Sequence, residues 1–247
     1  MSEKIKFTFV VLVLGICTMN TVFANQIVSL VAPSVLSMPV IENDDPMIDL
    51  NKQKIIAFGP SPEIPNNKDY TKIRKTVYEK LLEAQKVLPK NLKFCVYEGY
   101  RSLKLQEQLF KDQYNTLKRN HPSWDHKILF DETTKLVSPT VNFDGSQNIP
   151  PHSTGAAIDI YLIDNDENVV DMGLMVANWM QDVDGSLSQT SSSKISDDAK
   201  KNRTIMSRAL QSVGFVNYPG EYWHWSYGDR YWAYCSKEQF ALYDTVK

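Results

Sequence analysis

Two histidines in the sequence each stand close to a carboxylate, a combination of residue types that can hold a metal ion. His152 and Asp159 are seven residues apart, and Gly155 lets the chain bend between them. His224 follows Glu221 by three residues. Two imidazoles and one carboxylate form a three-ligand set for Zn²⁺ that leaves the fourth tetrahedral position for water. Glu221 then remains free to act as a general base rather than as a ligand.

Hydropathy patterns predict the elements that must position these side chains. Apolar residues that recur at helical spacing indicate helices, alternation of apolar and polar residues indicates strands, and polar clusters with glycine or proline indicate turns. The predicted elements are a helix over 73–88, a strand over 92–97, a helix capped by Ser102, a turn-rich connection over 118–150, a strand over 156–162, a helix over 205–213 ended by Gly214, and the last strands within the aromatic stretch 215–234. Together they predict an α+β domain in which helices pack on one face of a small antiparallel sheet.

The N-terminal region predicts an exported protein. Residues 1–24 have the features of a signal peptide: Lys4 and Lys6, an apolar run from Phe7 to Cys17, and a cleavage site ending at Ala24. The apolar run is shorter than the roughly 20 residues that span a bilayer, so we expect no stable membrane anchor. Residues 25–69 are rich in proline and are predicted as an extended segment on the surface of the domain at 70–247. The expected location is periplasmic or secreted.

Charge and cysteine content narrow the possible classes further. The chain carries 27 Lys and Arg against 29 Asp and Glu, with no long basic run, which argues against a nucleic-acid binder. Cys95 and Cys235 remain after the signal peptide is removed. In an oxidising compartment they could form one disulfide or stay as two unpaired buried thiols far apart in the fold, and both interpretations are open.

Three motifs resemble the zinc D-alanyl-D-alanine dipeptidases, the family that includes the vancomycin-resistance dipeptidase. They are Glu98–Arg101, His152–Asp159, and Glu221–His224 with the following stretch 226–233. The helix and turn over 202–215 also match, and the resemblance extends over about residues 50–240 in the same order. The zinc motif is shared with a wider superfamily of D,D- and L,D-carboxypeptidases and the Hedgehog signalling domain, so the resemblance implies a Hedgehog/D,D-peptidase-like fold.

The resemblance also implies a role for each motif residue. His152, Asp159 and His224 would bind one zinc ion per chain, and Glu221 would be the catalytic base. Arg101 matches the arginine that stabilises the oxyanion of the tetrahedral intermediate, since a guanidinium keeps its charge at working pH. Without the resemblance, Arg101 is better interpreted as a surface residue that caps the turn between strand and helix.

Two positions depart from the family pattern. Pro150 stands where the family usually has a serine, two residues before the first histidine. Ala177 stands where the family has an acid that recognises the free ammonium of the substrate. Asn178, Asp171 or Asp182 are candidates to compensate for the missing acid.

Three hypotheses of function follow. The leading one is a zinc metallopeptidase that hydrolyses the D-Ala-D-Ala dipeptide in cell-wall turnover. The second is a D,D- or L,D-carboxypeptidase that trims peptidoglycan stem peptides, which Ala177 and Pro150 favour. The third is a non-catalytic, zinc-stabilised binding module, against which the presence of both Glu221 and Arg101 argues. The sequence leaves the oligomeric state open.

Overall fold

The computed structural model describes residues 27–62, 68–182 and 184–246, so the predicted signal peptide lies outside the described residues. The helices and strands are α1 (Pro33–Leu36), β1 (Met47–Asp49), β2 (Ala57–Phe58), β3 (Lys72–Arg74), α2 (Lys75–Val87), β4 (Leu92–Glu98), α3 (Leu103–Asn120), α4 (His126–Thr133), β5 (Ala157–Asp164), α5 (Asp197–Ser212), β6 (Val216–Asn217), β7 (His224–Ser226) and α6 (Arg230–Ser236). Within the described residues, none of these helices is both apolar enough and long enough to cross a membrane.

Two sheets organise the strands. The larger sheet has the order β2-β4-β5-β7-β6, and its four strands from β4 to β6 pair antiparallel. β2 pairs with the edge of β4 in parallel, which the sequence pattern did not indicate. β1 and β3 form a separate antiparallel pair. The prediction of an α+β fold built on a small antiparallel sheet is confirmed, with this one parallel edge strand added.

One face of the larger sheet carries the main hydrophobic core. Phe94 pairs with Leu162 across β4 and β5, and Val96 pairs with Ile160. These four side chains are fully buried in a cluster with α2 and α5, which contribute Leu81 and Leu210 among others. Successive residues of a strand point to opposite faces, so Asp159, between Ile158 and Ile160, is directed away from this core.

Several elements differ locally from their prediction. Residues 118–150 contain α4, which begins where Asp125 accepts a hydrogen bond from the Ile128 amide at 2.8 Å. Strands were expected throughout the aromatic stretch up to Tyr234, but α6 occupies its end. Tyr231 and Trp232 are buried on that helix, so the strand prediction is wrong there. Aromatic density indicates burial in either element and does not separate the two.

The N-terminal segment is more than an extended surface layer. It contributes β1 and β2 to the two sheets, and Leu50 and Ile56 lie fully buried in the main core. Both cysteines are free thiols: Cys95 is buried in β4, and Cys235 is exposed in α6. The interpretation as unpaired thiols is therefore confirmed, but the expectation that both are buried is wrong for Cys235.

The buried side chain of Arg74 links residues 42–45 and residue 244 to the turn that carries His152. Its guanidinium donates hydrogen bonds to the carbonyls of Thr154 at 2.8 Å, Asp45 at 2.8 Å and Asp244 at 3.2 Å. It also forms an ion pair with Glu42, at 3.0 Å between Nη2 and Oε2. Because a guanidinium presents five donors in a rigid fork, no other side chain could make this set of bonds.

We expect Arg74→Met to destabilise the fold by about 3 kcal/mol, because removing one partner of a buried ion pair costs about 3–5 kcal/mol and Glu42 is only partly buried. Urea unfolding of the purified protein measures the change. Arg208→Met, at an exposed position of α5, is the matched control. Equal losses of stability in the two variants would contradict the role assigned to Arg74.

Candidate metal centre

Strand pairing brings two of the three predicted ligands together. Asp159 on β5 lies directly opposite His224 on β7, and on its other side it pairs with Glu98 on β4. Directly opposed residues of an antiparallel pair lie on the same face, with Cβ atoms about 4.5–5.5 Å apart. The register between β4 and β5 shifts between Val96 and Glu98, which takes Glu98 off the core face that Val96 occupies. The pairing of three neighbouring strands therefore places Glu98, Asp159 and His224 in one row.

A tight turn supplies the third predicted ligand. His152 lies in a short 3₁₀ helix, Pro151–Thr154, which ends at Gly155 with a φ of 71°. A side chain at this position would be strained at that φ and would also strike Met47, whose Cε lies 2.6 Å from the site of a Cβ atom. Two hydrogen bonds connect this turn to the Glu98–Arg101 motif. The Arg101 amide donates to the His152 carbonyl at 3.1 Å, and the His152 ring nitrogen Nδ1 lies 2.8 Å from the Gly99 carbonyl.

The three donor atoms form a nearly equilateral triangle. His152 Nε2 lies 3.2 Å from His224 Nδ1 and 3.4 Å from Asp159 Oδ1, and His224 Nδ1 lies 3.1 Å from the same carboxylate oxygen. Tetrahedral coordination with zinc–nitrogen distances of about 2.0–2.1 Å requires donor atoms about 3.3–3.4 Å apart. The spacing of the triangle therefore fits zinc.

Hydrogen bonding and electrostatics also fit a cation. A carbonyl only accepts, so His152 Nδ1 must carry the proton that it shares with Gly99, which leaves the lone pair of Nε2 directed into the triangle. Burial alone would raise the pKa of Asp159, but the hydrogen bonds of His152 and His224, and the positive charge of these rings when they are protonated, hold it well below its usual range. A bound cation would take the place of that charge when the rings are neutral. An ionised carboxylate and two imidazoles, all at least nine-tenths buried, are a donor set suited to a divalent metal.

Arg101 is fixed beside this triangle rather than exposed at the surface. Its Nε donates to Glu98 Oε1 at 3.0 Å, its Nη2 pairs with Glu98 Oε2, and its Nη1 donates to Gln106 Oε1 at 3.0 Å. Glu98 is fully buried, so the ion pair is shielded from solvent. The interpretation of Arg101 as a surface capping residue is therefore wrong. Gln106, which helps to orient it, carries no motif signal in the sequence.

Glu221 reaches the same cavity from a turn just before β7. Its amide donates to the Tyr218 carbonyl at 2.9 Å, and its carbonyl accepts from the His224 amide at 3.2 Å. Burial raises the pKa of Glu221 to about 7, and the charge of Asp159 adds to the rise, whereas His224 and Arg101 oppose it. A carboxyl group with a raised pKa and a nearby metal site is suited to accept and return a proton.

All five predicted site residues line one cavity of about 360 Å³. Leu30 of the N-terminal segment, Tyr97, and the face of α3 that includes Asp112 also border it. A second cavity of about 690 Å³ adjoins the first, and Trp179, Met180, Tyr218 and Glu221 are among the residues that border both. The cleft is therefore larger than the immediate surroundings of the three donor atoms.

Asp171, Asn178 and Asp182 were the candidates to replace the acid that binds the substrate's ammonium group. None of them lines the cavity that contains the three donor atoms. The segment around Ala177 borders it through Val176, Trp179 and Met180. Asp182 instead accepts hydrogen bonds from the Ser188 amide and hydroxyl. Asp171 accepts from the Gly173 amide and the Ser196 hydroxyl, and Asn178 is exposed.

Arg203 supports the Glu221 turn, and sequence reasoning assigned it no role. Its buried guanidinium donates to the carbonyls of Met172, Leu187 and Gln189, and its Cζ lies 4.0 Å from the centre of the Tyr222 ring. An arginine within the matched helix over 202–215 was the only signal in the sequence, and it did not indicate which carbonyls the side chain would bind.

A family model and one relative of known activity match most of the chain. A family model described as Peptidase_M15, D-ala-D-ala dipeptidase, matches residues 66–242. A D-alanyl-D-alanine dipeptidase of Synechocystis sp. is 24% identical over 220 residues, which cover 81% of this chain and 88% of that protein.

Solved structures with similarity to the chain include peptidases. VanYB in complex with D-alanine-D-alanine is 12% identical, with a TM-score of 0.42 over 75% of this chain and 92% of that one. The LdcB LD-carboxypeptidase is 15% identical, with a TM-score of 0.36 over 80% of this chain and 76% of that one.

We expect His152→Ala and His224→Ala to abolish tight zinc binding, because each removes one of three donors. Elemental analysis after dialysis should find about one zinc per chain in the unaltered protein and little in either variant. His126→Ala is the control, since that histidine is exposed and bonds only Tyr114 among the described contacts of its ring nitrogens. Zinc retained by both ligand variants would contradict the assignment.

Proposed function

The chain belongs to the D-Ala-D-Ala dipeptidase family, and from this premise we propose that it is a zinc metallopeptidase that hydrolyses the D-Ala-D-Ala dipeptide. The observation that carries the proposal is the triangle of His152, Asp159 and His224, with donor spacings that fit one zinc ion and with Glu221 and Arg101 lining the same cavity. A binding module that used zinc only for stability would need neither a carboxyl group suited to proton transfer nor a fixed guanidinium in that cavity.

The metal donors, Glu221 and Arg101 have different roles in the proposed hydrolysis. Zinc, when bound by the three donors, supplies Lewis-acid activation of water and of the scissile carbonyl. Glu221 accepts the proton from the attacking water and returns it to the leaving amine, for which its burial and raised pKa suit it. Arg101 stabilises the negative charge that develops on the carbonyl oxygen, and its pairing with Glu98 and Gln106 fixes its position before the reaction begins.

Location and physiological role are part of the same proposal. The charged start, apolar run and cleavage site within residues 1–24 support export to the periplasm or the medium. An exported enzyme of this family would act in cell-wall peptide turnover, with D-Ala-D-Ala or a peptidoglycan-derived peptide as its partner.

A longer peptide is the second candidate substrate, and the position of Asp112 favours it. Among the described residues, three carboxylate side chains line the cavity, and two of them already have a proposed role: Asp159 as a metal ligand and Glu221 as the general base. Asp112 is the third. It lies six residues along α3 from Gln106, about 9 Å of helix beyond the side chain that orients Arg101. Since an extended peptide advances about 3.3 Å per residue, an ammonium held by Asp112 would belong to a peptide longer than two residues. The adjoining second cavity offers room for such a substrate.

We expect Glu221→Gln to reduce turnover by about 10²- to 10⁴-fold, because it removes the proton acceptor and leaves the three donors intact. Released D-alanine and bound zinc are measured in the same samples. Glu83→Gln, at an exposed position of α2, is the control and should keep full activity. Full activity of the Glu221 variant would exclude it as the general base.

A substrate panel separates the two candidate substrates. We expect the protein to hydrolyse D-Ala-D-Ala, and a chelator to abolish this activity. A pentapeptide ending in D-Ala-D-Ala is assayed beside the dipeptide, with the unaltered protein and with Asp112→Asn. Activity on the pentapeptide alone, reduced in the Asp112 variant, would favour a carboxypeptidase over a dipeptidase.

A further inference from the structure

Five buried polar side-chain atoms have no hydrogen-bond partner of normal geometry among the described residues. Each atom lies in a residue that is a predicted ligand or is close to one in the sequence. The buried atoms without a partner are Ser153 Oγ, His224 Nε2, Ser226 Oγ, Asp229 Oδ2 and Arg230 Nε. Leaving a buried donor or acceptor unsatisfied costs about 1–3 kcal/mol, so such groups normally pair with each other or with ordered water.

His224 needs an acceptor on the side of its ring that faces away from the donor triangle. Its Nδ1 is the nitrogen that lies 3.1 Å from Asp159 and 3.2 Å from His152. A neutral imidazole that binds a metal through Nδ1 carries its proton on Nε2. That N–H is buried, and an acceptor for it would fix both the tautomer and the orientation of the ring.

Asp229 offers a second buried carboxylate oxygen beside the hydroxyl of Ser226. Its carboxyl group is 1% exposed, and its Oδ1 accepts from the Trp232 amide at 2.8 Å, which caps α6. Its Oδ2 has no partner of normal geometry among the described residues. Burial raises the pKa of Asp229, and hydrogen bonding by the Ser226 hydroxyl and the Trp232 amide opposes the rise. The charges of His224 and His152 also oppose it, so the carboxyl group lies close to Ser226 and within electrostatic reach of both rings.

Ser226 provides a polar group near the same place. It follows His224 by two residues on β7, so the two side chains point to the same face of the strand. Ser226 is fully buried, and its hydroxyl can both donate and accept. A water molecule requires two to four polar partners in a buried site, and His224 Nε2, Asp229 Oδ2 and Ser226 Oγ together meet that requirement.

We propose that Asp229 is a positioning residue for the metal centre, whose Oδ2 accepts the proton of His224 Nε2 through one buried water that Ser226 also bonds. Asp229 thereby holds His224 in the tautomer that presents the Nδ1 lone pair to zinc. The inference rests on the proposed zinc site and deepens it. Asp229 then has two separate roles. Its Oδ1 caps the N-terminus of α6, and its Oδ2 orients the metal ligand His224.

Asp229→Asn tests the second task while preserving the first. Asparagine is as good an N-cap as aspartate, but the amide group that replaces Oδ2 is a donor and opposes the N–H of His224. We expect the Kd for zinc, measured on the metal-free protein by competition with a chromophoric chelator, to rise by about 10- to 100-fold. The thermal stability of the metal-free variant should stay close to that of the unaltered protein.

Asp125→Asn is the matched control, because Asp125 caps α4 with one oxygen in the same way but is exposed and lies outside the cavity lining. Its Kd for zinc should not change. A Kd in the Asp229 variant equal to that of this control would overturn the proposal, since a purely capping role predicts that result.

Proton NMR of the zinc-loaded protein gives a second measurement, which does not depend on affinity. We expect a slowly exchanging ring N–H signal of His224 that shifts or is lost in Asp229→Asn, and an unchanged signal would count against the proposal.

If Asp229→Asn does not fold, Ser226→Ala keeps the cap and should weaken zinc binding in the same direction. Failure of the unaltered protein to bind zinc would instead overturn the proposed function, whereas zinc binding and hydrolysis that are indifferent to Asp229 would overturn this inference alone.

Discussion

The close packing of one ionised carboxylate between two imidazoles is the constraint on which the rest of the site depends. Asp159 is buried at 7% exposure, where an isolated negative charge would be strongly destabilised. Its ionised form is maintained by His152 and His224, whose ring nitrogens lie 3.4 and 3.1 Å away. The arrangement therefore favours a bound cation, and the surrounding sheet and turns hold the donors at the separation that a small divalent ion requires.

One face of the larger sheet carries the hydrophobic core, and the opposite face carries residues of the metal centre. Residues on one face of β4 and β5 pack against α2 and α5, whereas Glu98 and Asp159 point to the opposite face together with His224. A slip of one residue in register would exchange the two faces, so the burial of Ile158 and Ile160 also fixes the direction of Asp159. The core thus determines the position of the site through the alternation of the strand.

Sequence patterns were most informative where the controlling interactions are local. Alternation predicted β4 and β5. Motif spacing identified His152, Asp159, His224 and Glu221, and the family resemblance added Arg101; the structure brings all five into one cavity, although their roles stay part of the proposal. The contacts of Arg74 join residues 45, 154 and 244, and no local pattern reports such long-range bonds. The parallel edge strand β2 also depends on distant pairing. The aromatic density around α6 reflected burial, which strands and helices share.

Two segments that supply no donor atom meet at the turn that carries His152. The Asp244 carbonyl bonds Arg74, and the Val246 amide bonds the Ser153 carbonyl at 3.0 Å, so residues 244–246 help to support the turn. These contacts join residues that are far apart in the sequence, and they form only when the distant segments dock together. Preorganisation of the turn for a metal ion is therefore coupled to that docking, and a bound ion would stabilise the docked segments in return.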